Sequence, residues 1–240
     1  MLLRLDKIIS STGIAARGEV KRLVKQARVT VDGVTAASCD MKCDPEKVEI
    51  MVDGQPLRYS RYHYIMMNKP AGVLSATEDG RGETVLELLD ETTRRLKLFP
   101  VGRLDKDAEG LLILTDDGDF CHRVISPKSG VVKKYYVETE APVPASACAE
   151  FEKGMVLADG LRCLPARLEL FTPEEKRALV YVHEGKFHQV KRMMAAVGCP
   201  VTYLKRLAEG GLELDEALRG GGWREITETE RASVFETIRA

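Results

Sequence analysis

A chain of 240 residues with 44% hydrophobic and 30% charged residues is ordinary for a soluble globular protein and long enough to bury a core. No apolar stretch approaches the roughly 20 residues of a membrane span and no targeting pattern opens the chain, so the sequence predicts a cytoplasmic protein without a membrane partner. The net charge of -1 carries no argument for nucleic acid; the distribution of positive charge does.

Residues 2–57 read as a small module. Leu5, Ile8 and Ile9, then Val20, Leu23, Val24 and Ala27, repeat at helical spacing, which implies two amphipathic helices with a turn at Gly13. Arg28 to Val31 alternates as a strand into an Asp32-Gly33 turn. Arg17, Lys21, Lys25 and Arg28 stack on one face of the second helix. From Leu2 to Val34 seven basic residues (Arg4, Lys7, Arg17, Lys21, Arg22, Lys25, Arg28) stand against three acidic ones (Asp6, Glu19, Asp32). Such a stripe is either a solvated face or a footprint for phosphates. Six cysteines (Cys39, Cys43, Cys121, Cys148, Cys163, Cys199) form no CxxC pair and read as reduced thiols.

A linker is expected over Asp53 to Arg61, then a strand over Arg61 to Asn68 and a turn at Lys69-Pro70-Ala71-Gly72. Thr84 with Glu87 makes a capping box for a helix through Leu96. Gly102 to Gly118, GRLDKDAEGLLILTDDG, then places Asp105 on a short loop feeding a buried strand, Leu111 to Leu114, closed by an Asp117-Gly118 turn. A carboxylate held there either performs chemistry or satisfies loop amides. Asp105, Asp107, Glu109, Gly110 and Asp116 also match the calcium-loop spacing, but that loop needs flanking helices, which Pro100, Gly102 and the strand-like LLILT oppose.

In the strand Val131 to Thr139, Lys133, Tyr135, Val137 and Thr139 share a face, so Tyr135 reads equally as a core tyrosine. A helix from about Pro144 to Lys153 stops at Gly154, short strands run from Met155 to Phe171, and a strand from Ala178 to His183 leads to a Glu184-Gly185 turn. The helix that follows buries Val190, Met193, Met194 and Val197 and shows His188, Lys191 and Arg192 on its other side. His188, without a carboxylate near it in sequence, reads as structural or as an RNA contact, outside the chemistry.

GRLDKDAEGLLILTDDG resembles the catalytic signature of pseudouridine synthases, in the branch that modifies ribosomal RNA behind an S4-type RNA-binding module. NKPAGVLSA (68–76) and EGKFHQVKRMMAAVGCPV (184–201) resemble two further stretches of that family, RLDKIISSTG with RGEVKRLVKQARVTVDG resembles its S4-type module, and the tail around Gly220 to Glu225 resembles its end. The matches cover nearly the whole chain in the family's order, with departures at Ala16, Gly18 and Glu209.

The resemblance implies an α+β chain: an S4-type module over 1–58, then a catalytic domain over 59–240 built on a mixed, mainly antiparallel sheet. It implies isomerisation of a uridine in 16S ribosomal RNA, FHQVKRM being closer to small-subunit enzymes; 23S RNA and a non-catalytic ribosome-maturation factor are the alternatives. Asp105 is then the catalytic carboxylate, Lys191 its basic partner and Tyr135 the ring packed on the target base, while Arg103 fills the gap the base leaves. Lys69, Arg192 and, in the module, Arg4, Lys7, Arg17, Lys21, Lys25 and Arg28 are expected RNA contacts. The reaction changes no oxidation state, so no cofactor and no metal are expected; the partner is ribosomal RNA within an assembling small subunit, met by a monomer.

Overall fold

In a computed structural model that describes residues 1–80, 82–172 and 175–237, the apolar periodicity of the N-terminus becomes two packed helices. After β1 (Leu3–Arg4), α1 (Leu5–Ser11) buries Leu5, Ile8 and Ile9 and α2 (Arg17–Lys25) buries Val20, Leu23 and Val24. They pack on Val29, Ile50 and Val52 of a four-stranded sheet. Its strands are β2 (Val29–Val31), β3 (Val34–Thr35), β5 (Ile50–Val52) and β6 (Gln55–Pro56), in the order β3-β2-β5-β6; β4 (Lys42–Cys43) pairs with β1. Ala16 offers α2 no side-chain cap, but its N–H donates to Glu19 Oε2 at 2.8 Å, so half of a capping box survives.

Two expectations change along this part of the chain. The linker expected from Asp53 begins instead as a hairpin: Asp53 (φ 54°) and Gly54 (φ 73°) both take the positive φ of a two-residue turn joining β5 to β6. The helix expected from Thr84 to Leu96 is broken. Thr84 N–H does donate to Glu87 Oε2 at 2.6 Å, yet this starts only a 3₁₀ turn over Val85–Leu88. Asp90 then caps a separate α3 (Glu91–Arg94), accepting from Thr93 N–H at 2.9 Å, because a capping carboxylate favours a new start over helix continuation. The segment Leu89–Leu98 groups with Met1–His63, so this unit is discontinuous in sequence. At Gly13 (φ 75°) a Cβ would lie 2.2 Å from Thr92 O, a close approach that only glycine permits.

The second unit, Tyr64–Leu88 with Phe99–Ala240, is organised by one large sheet. Its strands are β7 (Tyr64–Lys69), β8 (Phe99–Pro100), β9 (Glu109–Thr115), β10 (Lys133–Thr139), β13 (Arg167–Leu170), β14 (Arg177–Val182), β15 (Val201–Glu209), β16 (Leu212–Glu213) and β17 (Trp223–Glu225), with β11 (Met155–Val156) and β12 (Arg162–Cys163) as a separate pair. The order is β13-β14-β10-β15-β9-β7-β17, with β16 on β15 and β8 on β9. β15 and β9 run parallel and the other strand pairings of this sheet, among the described residues, are antiparallel, which gives the mixed, mainly antiparallel sheet of an α+β fold.

The helices are α4 (Gly118–Ile125), α5 (Ser146–Lys153), α6 (Gln189–Ala196) and α7 (Glu228–Ser233). Met66, Leu111 and Ile113 on one sheet face pack against Phe120 and Val124 of α4. Asp117-Gly118, read as a turn, is the start of α4, with Asp117 Oδ1 accepting from the N–H groups of Asp119 and Phe120. β9 separates Asp105 and Asp107 from Asp116 by an extended run about 20 Å long, so these acids do not form one calcium loop. No helix among the described residues is long and apolar enough to cross a membrane.

Gly110 sits where β9 meets β15: φ is 104° and a Cβ would fall 2.2 Å from Arg206 O. Gly110→Ala is therefore expected to destabilise the protein by more than about 2 kcal/mol in thermal unfolding, whereas Gly118→Ala, with open space around it, stays near wild type.

Candidate active site

The loop Leu104 to Ala108 is fixed from beneath by the stretch Lys69 to Ser75. Ser75 Oγ accepts from Leu104 N–H (3.1 Å) and donates to Leu104 O (3.0 Å). Gly72 N–H donates to Lys106 O at 2.7 Å, and Lys69 Nζ donates to Ala108 O (2.7 Å), Pro70 O (3.0 Å) and Lys106 O (3.2 Å). Ala108 N–H closes the turn on Asp105 O at 3.1 Å. The two sequence stretches thus form one object, in which NKPAGVLSA is the clamp and LDKDA the clamped loop.

This corrects the reading of Lys69 as an RNA contact. Its side chain is fully buried, and its three ammonium hydrogens are directed at loop carbonyls, which leaves none for a phosphate. Burial pulls its pKa down to about 8, although the charges of Asp107, Asp105 and Glu109 oppose the shift.

Facing the loop, α6 presents Lys191. Its Nζ lies 3.2 Å from Asp105 Oδ2 and 2.6 Å from Asp107 Oδ1. Burial lowers the affinity of this ammonium for its proton, but hydrogen bonds to Asp107 and Asp105 outweigh that and its pKa is raised. The same hydrogen bond from Lys191 lowers Asp107. The turn entering α6 is held by buried polar groups: Gln189 Nε2 donates to Glu184 Oε1 (3.0 Å), Gln189 Oε1 accepts from Lys186 N–H (3.0 Å), and Glu184 also accepts from Leu164 N–H (2.9 Å).

His188, which sequence spacing places outside the chemistry, stands in this site. Its Nε2 is 3.6 Å from Asp105 Oδ1, an ion pair when the imidazole is protonated. Sequence distance hides the contact, since this carboxylate is more than 80 residues away along the chain. Sequence reasoning also passes over Asp107 as the closer partner of Lys191, although Asp-Lys-Asp on a tight turn is a readable signal.

A cleft lined by Arg103, Asp105, Tyr135, Glu184, His188 and Leu204 opens between this loop, β10 and the turn before α6. Tyr135 lies on its floor, almost wholly buried, on the face it shares with Lys133, Val137 and Thr139. Beside it is Arg206, buried in β15, whose Nε donates to Leu111 O at 2.7 Å. Arg206 Nη2 faces the buried Glu209 Oε2 at 3.8 Å, an electrostatic contact too long for a hydrogen bond. Burial pushes the Tyr135 phenol up, against the pull of the Arg206 charge. Arg103 is exposed at the rim.

The remaining expected contacts lie elsewhere. Arg192 pairs with Asp159 at 2.6 Å, away from the cleft lining. In the first unit, Lys7, Arg17, Lys21 and Lys25 are exposed, Arg4 pairs with Asp6 at 2.9 Å and Arg28 pairs with Asp53. The described residues hold no cluster of three or more His, Cys, Asp or Glu arranged for a metal ion.

A family model described as RNA pseudouridylate synthase matches residues 63–196, and the S4 domain model matches residues 3–48. The chain is 44% identical to an uncharacterized RNA pseudouridine synthase of Bacillus subtilis, over 95% of this chain and 96% of that one. It is 42% identical to ribosomal small subunit pseudouridine synthase A of Salmonella typhimurium, over 97% and 100% respectively. A crystal structure of a pseudouridylate synthase superposes with a TM-score of 0.68 at 33% identity, over 97% of this chain and 99% of that one.

Lys69→Met should leave RNA affinity unchanged and lower the unfolding free energy, because three carbonyls lose a donor. Since the folded pKa (about 8) lies below the unfolded one, the unfolded chain binds more protons between pH 8 and about 10.5 and this group's contribution to stability rises with pH there. The stability advantage of wild type over Lys69→Met should therefore grow across that window by about 3 kcal/mol, measured by denaturant titration at a series of pH values.

Proposed function

The chain belongs to the RNA pseudouridylate synthase family, and from that membership we propose that it converts a uridine of 16S ribosomal RNA to pseudouridine in the cytoplasm, with Asp105 as the catalytic carboxylate and no cofactor. The small-subunit target is supported by full-length relatives named ribosomal small subunit pseudouridine synthase A, at 41–42% identity. The observation that carries the assignment of Asp105 is its position on a clamped loop, 3.2 Å from the Lys191 ammonium and over the same cleft as Tyr135.

The reaction breaks the bond from the ribose to N1 of uracil and makes one from the same ribose carbon to C5. C5 gives up a proton, N1 ends with one, and no electrons are gained or lost. Charge separates as the glycosidic bond opens, so a carboxylate beside that carbon is the required group, and Lys191 sets the opposite charge 3.2 Å from Asp105. Drawing the nucleotide out of its stack costs a few kcal/mol. Tyr135 offers the extruded ring a flat surface, worth roughly 1 to 3 kcal/mol for a stacked base, and Arg103 at the rim is placed to fill the vacated space.

Arg17, Lys21 and Lys25 of the S4 unit provide affinity through phosphates rather than chemistry. The substrate is ribosomal RNA within an assembling small subunit, engaged by one copy of the chain.

These roles predict two separable phenotypes. Asp105→Asn should bind RNA and form no pseudouridine, read by mapping the modification in 16S RNA after incubation; normal product removes Asp105 from the chemistry. Replacing Arg17, Lys21 and Lys25 by Gln should act on KM rather than kcat and flatten the salt dependence of binding by about 0.7 to 0.9 log units for each phosphate no longer neutralised.

A further inference from the structure

Phe187 is the most exposed large apolar side chain among the described residues, with 76% of its surface in water. It is not loose. Its ring stacks on the His188 imidazole with centroids 3.8 Å apart and planes within 17°. His188 in turn is fixed at both ends: Nε2 lies 3.6 Å from Asp105 Oδ1, and its backbone takes φ 50°, a left-handed conformation that few residues adopt without a surrounding constraint. The hydrogen bonds among Glu184, Lys186 and Gln189 are that constraint.

An apolar ring kept rigid in water, one residue from the lining of the catalytic cleft, contributes nothing to the core. Its inner face is used by His188 and its outer face is open, so it ends a two-ring stack with room for a third. Arg103, exposed on the lining of the same cleft, supplies a cation for a backbone phosphate. An RNA strand that delivers a uridine to Asp105 must run past this rim with neighbouring nucleotides unpaired, and every base has a π-face that stacks on an aromatic ring without regard to sequence.

We propose that Phe187 is a substrate-binding residue, on which an unpaired base flanking the target uridine stacks, in the order base, Phe187, His188. The proposal rests on the RNA-modifying function proposed above, but it concerns where the flanking nucleotide lies and not the chemistry. His188 is the positioning residue of this stack, because it sets the ring plane and ties it to the catalytic carboxylate.

The test uses the full chain and 16S RNA fragments carrying 2-aminopurine immediately 5′ or immediately 3′ of the modified uridine. Wild type should quench one of the two probes on binding, because stacking quenches this base, and Phe187→Trp should do the same. Phe187→Leu, which keeps the apolar bulk without the π-face, and Phe187→Ala should lose the quench and raise KM about 5- to 100-fold, with a smaller effect on kcat. Equal quenching by wild type and Phe187→Leu, or by neither probe with wild type, overturns the proposal. Pseudouridine formation by wild type on the same fragments is scored separately: absence of product with the quench intact counts against the proposed function and not against the stack.

Discussion

The site depends on one ammonium shared by two carboxylates. Lys191 on α6 reaches across to Asp105 and Asp107 on a loop more than 80 residues away in sequence. The two contacts are not equivalent. Asp107 is largely exposed, so solvent screens its bond to Lys191, although that bond is the shorter of the two and the larger in raising the Lys191 pKa. Asp105 is sheltered to the same degree as Lys191 itself, and there the lower local dielectric makes the pairing count. Two acids against one ammonium leave the cluster with surplus negative charge, and His188, 3.6 Å from Asp105, is the neighbour able to balance it when protonated.

The pair keeps its geometry because both sides rest on buried polar groups. On the loop side, Lys69 and Ser75 hold the backbone of Leu104, Lys106 and Ala108 from within the core. On the helix side, Glu184 and Gln189, both buried, fix the turn that aims His188 and Lys191. Under the floor, Arg206 is held protonated although burial works against it, because Glu209 and the Tyr135 phenol outweigh that penalty. Buried charge of this kind is weak evidence for stability, and its value here is orientation of the tyrosine in the cleft.

Much of this architecture is readable from residues alone. The 3.6-residue period of Leu5, Ile8, Val20 and Leu23 predicts the paired helices, and the run LLILT predicts the buried strand, because both patterns report burial directly. Lys133, Tyr135, Val137 and Thr139 share a buried face as the two-residue period requires. What escapes depends on neighbours that sequence spacing does not encode. Lys69 looks like a surface cation until the fold brings three carbonyls around it. His188 looks solitary until α6 folds over Asp105. The hairpin at Asp53-Gly54 and the cap at Asp90 are local signals with a clear mechanism that a stronger expectation, a linker and a long helix, conceals.

The central claim is that the Lys191 charge sustains the work of Asp105. Turnover of 16S RNA by Lys191→Met, compared with Lys191→Arg under saturating substrate, addresses it most directly. The account predicts that methionine lowers kcat by about 100-fold or more, the scale of removing one electrostatic stabiliser from a reacting group, and that arginine restores a large part of it. A methionine variant that forms pseudouridine at the wild-type rate would contradict the account.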